Sequence, residues 1–282
     1  HQPERERITT PDDDFLDVDR YRQGSRKCVV ISHGLEGNSS RAYVTGMARA
    51  FFTNDYDVVA WNFRGCSGTM NRQLRFYHSG ATDDLHTLVQ YLANQYEEII
   101  LVGFSLGGNL TLKYVGEPWT HVNVSKAITF SVPLNLHTSC MEICRPGNWI
   151  YHERFLRSLK KKVKEKAAVR KDLDIRGIDA IKSLFEFDNV FTGPIHGFKD
   201  AIDYYTQCSS LYFIQSVRIP TLVVNAVNDP FLSTDCYPDE KSRRGSNVQF
   251  EFPSRGGHVG FSTFGQNGLY WSEMRALTFA SE

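Results

Sequence analysis

Short runs of consecutive apolar residues, separated by stretches with helical spacing, set the pattern of this chain. The runs at 27–32 (KCVVIS), 57–62 (DVVAWN), 99–104 (IILVGF), 126–132 and 220–227 have the form of strands buried on both faces of a parallel sheet. Between them, Tyr43, Met47 and Phe51 share one face of a helix that starts near Ser39 or Ser40. Leu85, Leu88, Val89 and Leu92 repeat at helical spacing over 82–96, with Asp83 and Asp84 in the first turn. Apolar positions continue from Leu110 to Val115, where Gly116 and Pro118 act as stop signals.

Two segments alternate instead. Residues 5–9 and 15–21, around the turn 11–14, predict a hairpin whose two-sided polarity suits an antiparallel sheet edge, and 247–252 predicts a last strand near the C-terminus. The whole reads as an α/β fold: a doubly wound, mostly parallel twisted sheet with helices on both faces. The interval 137–215 breaks the rhythm, holds no clear buried strand and predicts a helical cap insert over the strand ends. The expected division is therefore a core of 1–136 and 216–282, plus that insert.

Composition narrows the partners. At 282 residues and 41% hydrophobic content the chain can bury a large core. Its 32 basic and 32 acidic residues cancel, which argues against nucleic acid as the main partner. No apolar run approaches the roughly 20 residues a membrane-spanning helix needs, and residues 1–7 are too polar for a signal peptide. The six scattered cysteines read as reduced thiols of a cytoplasmic protein. Cys140 and Cys144 have a spacing that could hold a metal, but no second Cys/His pair follows at zinc-site spacing, so neither metal nor cofactor is expected.

The candidate chemistry centres on Gly103-Phe104-Ser105-Leu106-Gly107-Gly108, between a strand and a helix. Alone this could be a glycine-rich turn; in that setting it has the form of a nucleophile elbow, which presents the serine hydroxyl outward. A serine needs a histidine to take its proton and a carboxylate to orient that histidine. On this fold the chain order is serine, acid, histidine. Asp229, in Asn228-Asp229-Pro230 after the run at 220–227, and His258, in Gly256-Gly257-His258-Val259-Gly260 after the last strand, stand in that order. Read singly, Asp229 is a turn aspartate and His258 a loop histidine.

The helix N-terminus offers the N–H of Leu106 to a developing oxyanion, and His33-Gly34-Leu35 stands where the fold supplies its second donor, the N–H of Leu35. His33 is expected to orient that loop and not to act as the base. His33, Gly34 and Phe104 are expected at the substrate site. His78 could line it or be structural, whereas His86, His121, His137, His152 and His196 have no motif around them. Cys66, in Arg64-Gly65-Cys66-Ser67-Gly68, reads as a packing residue because no base is implied beside it. Residues 158–171 (SLKKKVKEKAAVRK) predict an amphipathic helix whose lysines form a solvated face or draw the protein to anionic lipid surfaces.

Taken together, His33-Gly34-Leu35-Glu36-Gly37, Arg64-Gly65-Cys66-Ser67-Gly68, Tyr77-His78-Ser79-Gly80, the elbow, Asp200-Ala201-Ile202-Asp203-Tyr204-Tyr205, Asn228-Asp229-Pro230-Phe231 and the His258 loop resemble the YheT-like branch of the α/β hydrolases. That branch includes the eukaryotic α/β-hydrolase-domain proteins 1 to 3 and the fungal medium-chain ethanol acyltransferases. The resemblance implies the triad Ser105, Asp229 and His258 with an oxyanion hole from Leu35 and Leu106. It also implies an esterase or acyltransferase acting on fatty-acyl esters, with acyl length and acceptor left open because members of the branch differ in both; the expectation is hydrolysis of short- to medium-chain esters through an acyl-enzyme. The alternatives are acyl transfer to an alcohol and a catalytically silent binding protein. Relatives usually carry an N-terminal segment that this chain, opening at a strand, is expected to lack.

Overall fold

Every apolar run described above becomes a strand, and alternation of side chains sends each run to two different cores. A computed structural model describes residues 2–119, 123–240, 246–262 and 268–282, so His121 lies outside the described residues. In chain order the strands are β1 (Glu4–Thr9), β2 (Phe15–Tyr21), β3 (Lys27–Ser32), β4 (Asp57–Trp61), β5 (Glu98–Phe104), β6 (Val124–Phe130), β7 (Thr221–Val224) and β8 (Val248–Glu251). They form one sheet in the order β1-β2-β4-β3-β5-β6-β7-β8. The strands from β3 to β8 run parallel, while the β1–β2 hairpin joins β4 antiparallel.

Cys28, Val30, Val59, Trp61, Ile99 and Leu101 point into one core, and Val29, Ile31, Val58, Ala60, Ile100 and Val102 into the other. Helices α2 (Thr82–Ala93) and α3 (Leu106–Gly116) cover the first face; α1 (Ala42–Phe52) and α9 (Trp271–Ser281) cover the second. Full burial of one such side chain contributes roughly 1.5–3 kcal/mol, which is why apolar residues occupy both faces of each central strand.

The hairpin forms the antiparallel edge of the sheet, as expected, with its two strands in different settings. β1 is the edge, whereas β2 lies inside the sheet with nearly all its residues buried. Its charges are matched across the pair: Asp17 takes a bidentate bond from Arg7 at 2.7 and 2.9 Å, Asp19 pairs with Arg5, and the buried Arg20 with Glu6 at 2.8 Å. The two-sided polarity is a ladder of ion pairs.

Two strand ends fall earlier than the apolar runs. β6 stops at Phe130 because Ser131 turns to a φ of 54°. β7 stops at Val224 because the Asn225 side chain clamps the backbone of Val132, accepting its N–H at 2.7 Å and donating to its carbonyl at 3.1 Å.

From Leu136 to Cys208 the described residues are helical or irregular. They include α4 (Leu136–Ile143), α5 (Trp149–Val169), the short turns α6 (Leu184–Phe187) and α7 (Gly193–Ile195), and α8 (Ala201–Cys208). A third apolar cluster holds them together, built on Leu156, Val163, Phe187, Phe191 and Tyr204 and reaching Phe76 of the sheet portion.

Candidate active site

Close packing of a strand against the helix that follows it determines how Ser105 is presented. A Cβ on Gly103 would meet the Thr111 hydroxyl at 2.7 Å, one on Gly107 the Ser32 carbonyl oxygen at 2.5 Å, and one on Gly108 the Val132 side chain at 2.9 Å. With those side chains missing, β5 runs straight into α3 through Ser105 alone, held at φ 54° and ψ −119°. A non-glycine residue in that region is strained and persists because its surroundings fix it. Here Ser105 N–H donates to the Phe130 carbonyl at 2.9 Å, and its own carbonyl accepts from Asn109 N–H at 3.0 Å.

Asp229 and His258 arrive from the ends of β7 and β8. The Asp229 carboxylate is buried, accepts the Phe231 N–H at 3.0 Å, and lies 2.9 and 3.1 Å from His258 Nδ1. His258 Nε2 lies 2.9 Å from Ser105 Oγ. A carboxylate only accepts, so Nδ1 carries the ring proton and Nε2 offers its lone pair to the serine hydroxyl. The histidine loop is tied down twice: the Asn228 side chain accepts from the N–H groups of Gly256 and Gly257, both at 2.9 Å, and the Val259 N–H donates to Ser131 Oγ at 3.0 Å. The Phe231 ring packs 4.4 Å from the imidazole. The three side chains singled out in the sequence are thus hydrogen-bonded in series, an arrangement able to move a proton from serine to histidine while the carboxylate holds the ring.

The loop after β3 closes the other side. A Cβ on Gly34 would stand 3.2 Å from Ser105 Cβ, so this turn lies directly against the elbow. Gly34 N–H donates to Tyr43 Oη and Glu36 N–H to Tyr77 Oη, each at 3.0 Å. Between them Leu35 N–H, like Leu106 N–H at the start of α3, has no protein acceptor among the described residues.

Two expected substrate contacts need correction. His33 is fully buried under this loop: its Nε2 accepts the Phe63 N–H at 3.2 Å, and Nδ1 donates to the Gly34 carbonyl at 2.8 Å. Burial takes its pKa down to about 3, so the ring stays neutral and shapes the loop without reaching substrate. Phe104 is the last residue of a buried strand and faces away from Ser105, packing on Tyr43 and Phe130 at 4.9 and 5.5 Å. Gly34 does line the site.

Ser105, Leu106, Leu35 and His258 open on a cavity of about 520 Å³. Its roof is the helical segment: Leu136, Cys140 and Ile143 from α4, and Tyr151, Phe155 and Leu159 from α5. The mostly apolar wall suits an acyl chain or another apolar group. Polar exceptions include Asp188, whose carboxyl is pushed up to about 6 by burial although the hydroxyls of Thr192 and Tyr205 each reach it at 2.6 Å. His78 also reaches the cavity, while its Nδ1 accepts the Gly80 N–H at 3.1 Å.

The lysine-rich helix does not present a uniform basic face. Lys166 is buried and donates to the Asn71 side chain and the Gln73 carbonyl at 2.6 Å each; burial brings its pKa down to about 8. Lys162 also turns inward, to Glu36 at 2.6 Å. Further out, Lys164 pairs with Asp179 at 2.5 Å and Lys161 lies 3.7 Å from Glu165.

Three other motif residues anchor the segments around the site. Arg64 is buried among three carboxylates, reaching Asp84 at 2.6 and 2.8 Å, Asp12 at 2.8 Å and Asp14 at 2.9 Å. Asp84 therefore serves as an ion-pair partner as well as a residue of the first helical turn. Asn109 donates to the Ser79 and Cys208 carbonyls at 3.0 and 2.9 Å and accepts the Ser210 N–H at 2.9 Å, joining α3 to α8. Tyr204 Oη accepts the Ser79 N–H at 3.0 Å.

Sheet order, elbow and the serine–histidine–carboxylate series together define an α/β hydrolase. The family described as serine aminopeptidase, S33 (Hydrolase_4) matches residues 23–235. YheT of Escherichia coli, a protein assigned as an esterase, is 32% identical over 268 residues, covering 92% of this chain and 78% of its own length. Phospholipase ABHD3 of Bos taurus is 31% identical over 256 residues, covering 88% of this chain, which spans about three fifths (62%) of that relative. A solved Pyrococcus furiosus esterase superimposes with a TM-score of 0.68 at 16% identity, covering 99% of this chain and 91% of that one. The chain belongs to the YheT-like branch of the α/β-hydrolase family, and it is a hydrolase of esterase and lipase type. Among the described residues no helix is long and apolar enough to cross a membrane.

Proposed function

We propose that the chain cleaves carboxylic esters through an acyl-enzyme on Ser105. The observation that carries this reading is the hydrogen-bonded series Asp229–His258–Ser105, with the serine opening on a largely apolar cavity. Ser105 Oγ attacks the ester carbonyl carbon while His258 Nε2 takes the hydroxyl proton, and Asp229 stabilises the resulting imidazolium. The tetrahedral oxyanion is held by the N–H groups of Leu35 and Leu106, an interaction for which one donor typically contributes about 10²–10³ in rate. Collapse expels the alcohol, which receives the proton from His258. Water then attacks the acyl-enzyme by the same steps in reverse order and releases the acid.

Residues 137–215 act in this reading as a cap: α4 and α5 supply the roof of the cavity and so select the acyl group. We take the substrates to be fatty-acyl esters, a class supported by the apolar wall and by the phospholipase name of a relative, and the acyl group to be of short to medium chain. Lys162 and Lys164 are paired with Glu36 and Asp179 and Lys166 is buried against Asn71 and Gln73, so the lysines of α5 do not form one solvent-facing stripe, and we do not assign the helix to recruitment by an anionic surface.

The test is an ester panel of increasing acyl length, with glycerolipids alongside, run with and without ethanol. The reading expects hydrolysis that peaks at one chain length and falls at least about 10³-fold in Ser105→Ala. An ethyl ester as main product when ethanol is present would make the protein an acyltransferase. A folded wild type inert on the whole panel would leave it a binding protein.

A further inference from the structure

Three of the sequence motifs converge on one lysine of α5. Glu36 follows Leu35 directly and stands at a φ of 51°, in the left-handed region that a side chain seldom adopts. Its carboxylate accepts from Tyr77 Oη at 2.7 Å, Ser158 Oγ at 2.5 Å and Lys162 Nζ at 2.6 Å. Its backbone is held as well, the N–H donating to Tyr77 Oη at 3.0 Å and the carbonyl accepting from Arg41 at 3.1 Å. Lys162 Nζ lies 3.1 Å from Cys66 Sγ and 4.9 Å above the Tyr77 ring. Residues of the 33–37, 64–68 and 77–80 stretches thus meet at Lys162.

Both members of the ion pair are withdrawn from solvent, with side chains 12% and 8% exposed for Lys162 and Glu36. Burial alone would push the Glu36 carboxyl up, yet Lys162 and the two hydroxyls hold it below the ordinary carboxylate range. Breaking such a pair leaves an uncompensated buried charge, so each member fixes the position of the other. One partner sits on the residue after Leu35, and the other sits on the helix that roofs the cavity.

We propose that Lys162 and Glu36 are positioning residues that hold the Leu35 N–H on the oxyanion, so that the oxyanion hole is complete only while α5 is seated over Ser105. This rests on the reading of Leu35 as an oxyanion donor. Neither side chain touches the reacting atoms; both act through the backbone of the loop. The coupling makes closure of the acyl site and readiness for catalysis one event, since a displaced α5 removes two of the three bonds that fix the Glu36 carboxylate, those from Ser158 and Lys162, and leaves only the one from Tyr77.

The experiment compares Lys162→Met, Glu36→Gln and the milder Ser158→Ala with the wild type. Lys161→Met, on the outer face of the same helix, is the control. Each variant is assayed for kcat and KM on one good ester, for the thermal midpoint, and for affinity toward an alkyl trifluoromethyl ketone, whose hemiketal oxyanion needs both donors. Lys162→Met and Glu36→Gln are expected to lower kcat about 10²-fold with KM within about threefold, and to weaken the ketone by a similar factor. Their double variant should be no worse than either single, Lys162→Arg should recover most of the loss, and Lys161→Met should match wild type. A purely structural role would lower the midpoint and spare kcat and ketone affinity well below that midpoint. If Lys162→Met does not fold, Ser158→Ala decides: unchanged kcat and ketone affinity overturn the proposal. A folded Lys162→Met that turns over and binds ketone like wild type also overturns it, with the site reading left standing. A wild type that fails to bind the ketone removes the site reading and the proposal together.

Discussion

Replacing Asp229 by asparagine tests the proton path with almost no change of volume. The buried carboxylate accepts the Phe231 N–H at 3.0 Å and the His258 Nδ1–H at 2.9 Å. An asparagine can keep the first bond with its carbonyl oxygen, and its NH₂ then faces His258. Two donors cannot share a hydrogen bond, so the ring gives up its Nδ1 proton and carries it on Nε2 instead. Nε2 is the atom 2.9 Å from Ser105 Oγ, and once protonated it cannot accept the serine proton. Wrong-tautomer variants of such triads lose about 10⁴ in turnover. At about 1.36 kcal/mol per tenfold, that is about 5.5 kcal/mol of transition-state stabilisation. The assay is steady-state hydrolysis of a p-nitrophenyl ester, with a thermal melt confirming that the variant is folded. A folded Asp229→Asn within tenfold of wild type would refute the argument and return Asp229 to the role of a turn residue.

Arg64→Met should lower stability by about 3–5 kcal/mol, because Asp14 and Asp84 stay buried without their cation; a thermal midpoint within about 2 °C of wild type would contradict this. Gly107→Ala places a methyl 2.5 Å from the Ser32 carbonyl oxygen, so the elbow must shift and ester turnover should drop by at least about 100-fold; near-normal turnover would show that the close approach is not needed. Burial takes His33 down to about 3, His196 to about 4 and His78 well below its ordinary value. Their stabilising effect is full above the unfolded value of about 6.5 and is lost progressively as pH falls toward 4 and 3. Asp188, pushed up to about 6 by burial, and Asp84, also raised by burial, have the opposite sign and gain as pH falls, but the two stand against three. The urea midpoint should therefore be lower at pH 5 than at pH 7.5, and a higher one would reverse the sign of the argument.

What could be read from the sequence follows from how local each feature is. The central strands are apolar at successive positions because both faces are buried, and that needs no knowledge of partners. The elbow is equally local, since its glycines answer to neighbours within a few residues or to the adjoining strand. Ser105, Asp229 and His258 could be picked out because the fold imposes their order. The inward lysines could not. Lys162 and Lys166 lie on the same stripe of α5 as Phe155, Leu159 and Val163, and what tolerates a cation there is Glu36, Asn71 and Gln73, each more than 90 residues away. The β1–β2 ladder hid in the same way, because buried aspartates paired with half-exposed arginines have the alternation of a solvated strand. Phe104 and His33 were misplaced for the opposite reason: adjacency to Ser105 or Leu35 in sequence says nothing about which way a side chain points.

Ser105 as the activated nucleophile of this hydrolase is tested by reacting the folded protein with a fluorophosphonate and locating the adduct by mass spectrometry. One equivalent on the peptide that contains Ser105, lost in Ser105→Ala and strongly slowed in Asp229→Asn, is expected. A folded wild type that takes up no label, or takes it up on another residue, would contradict it.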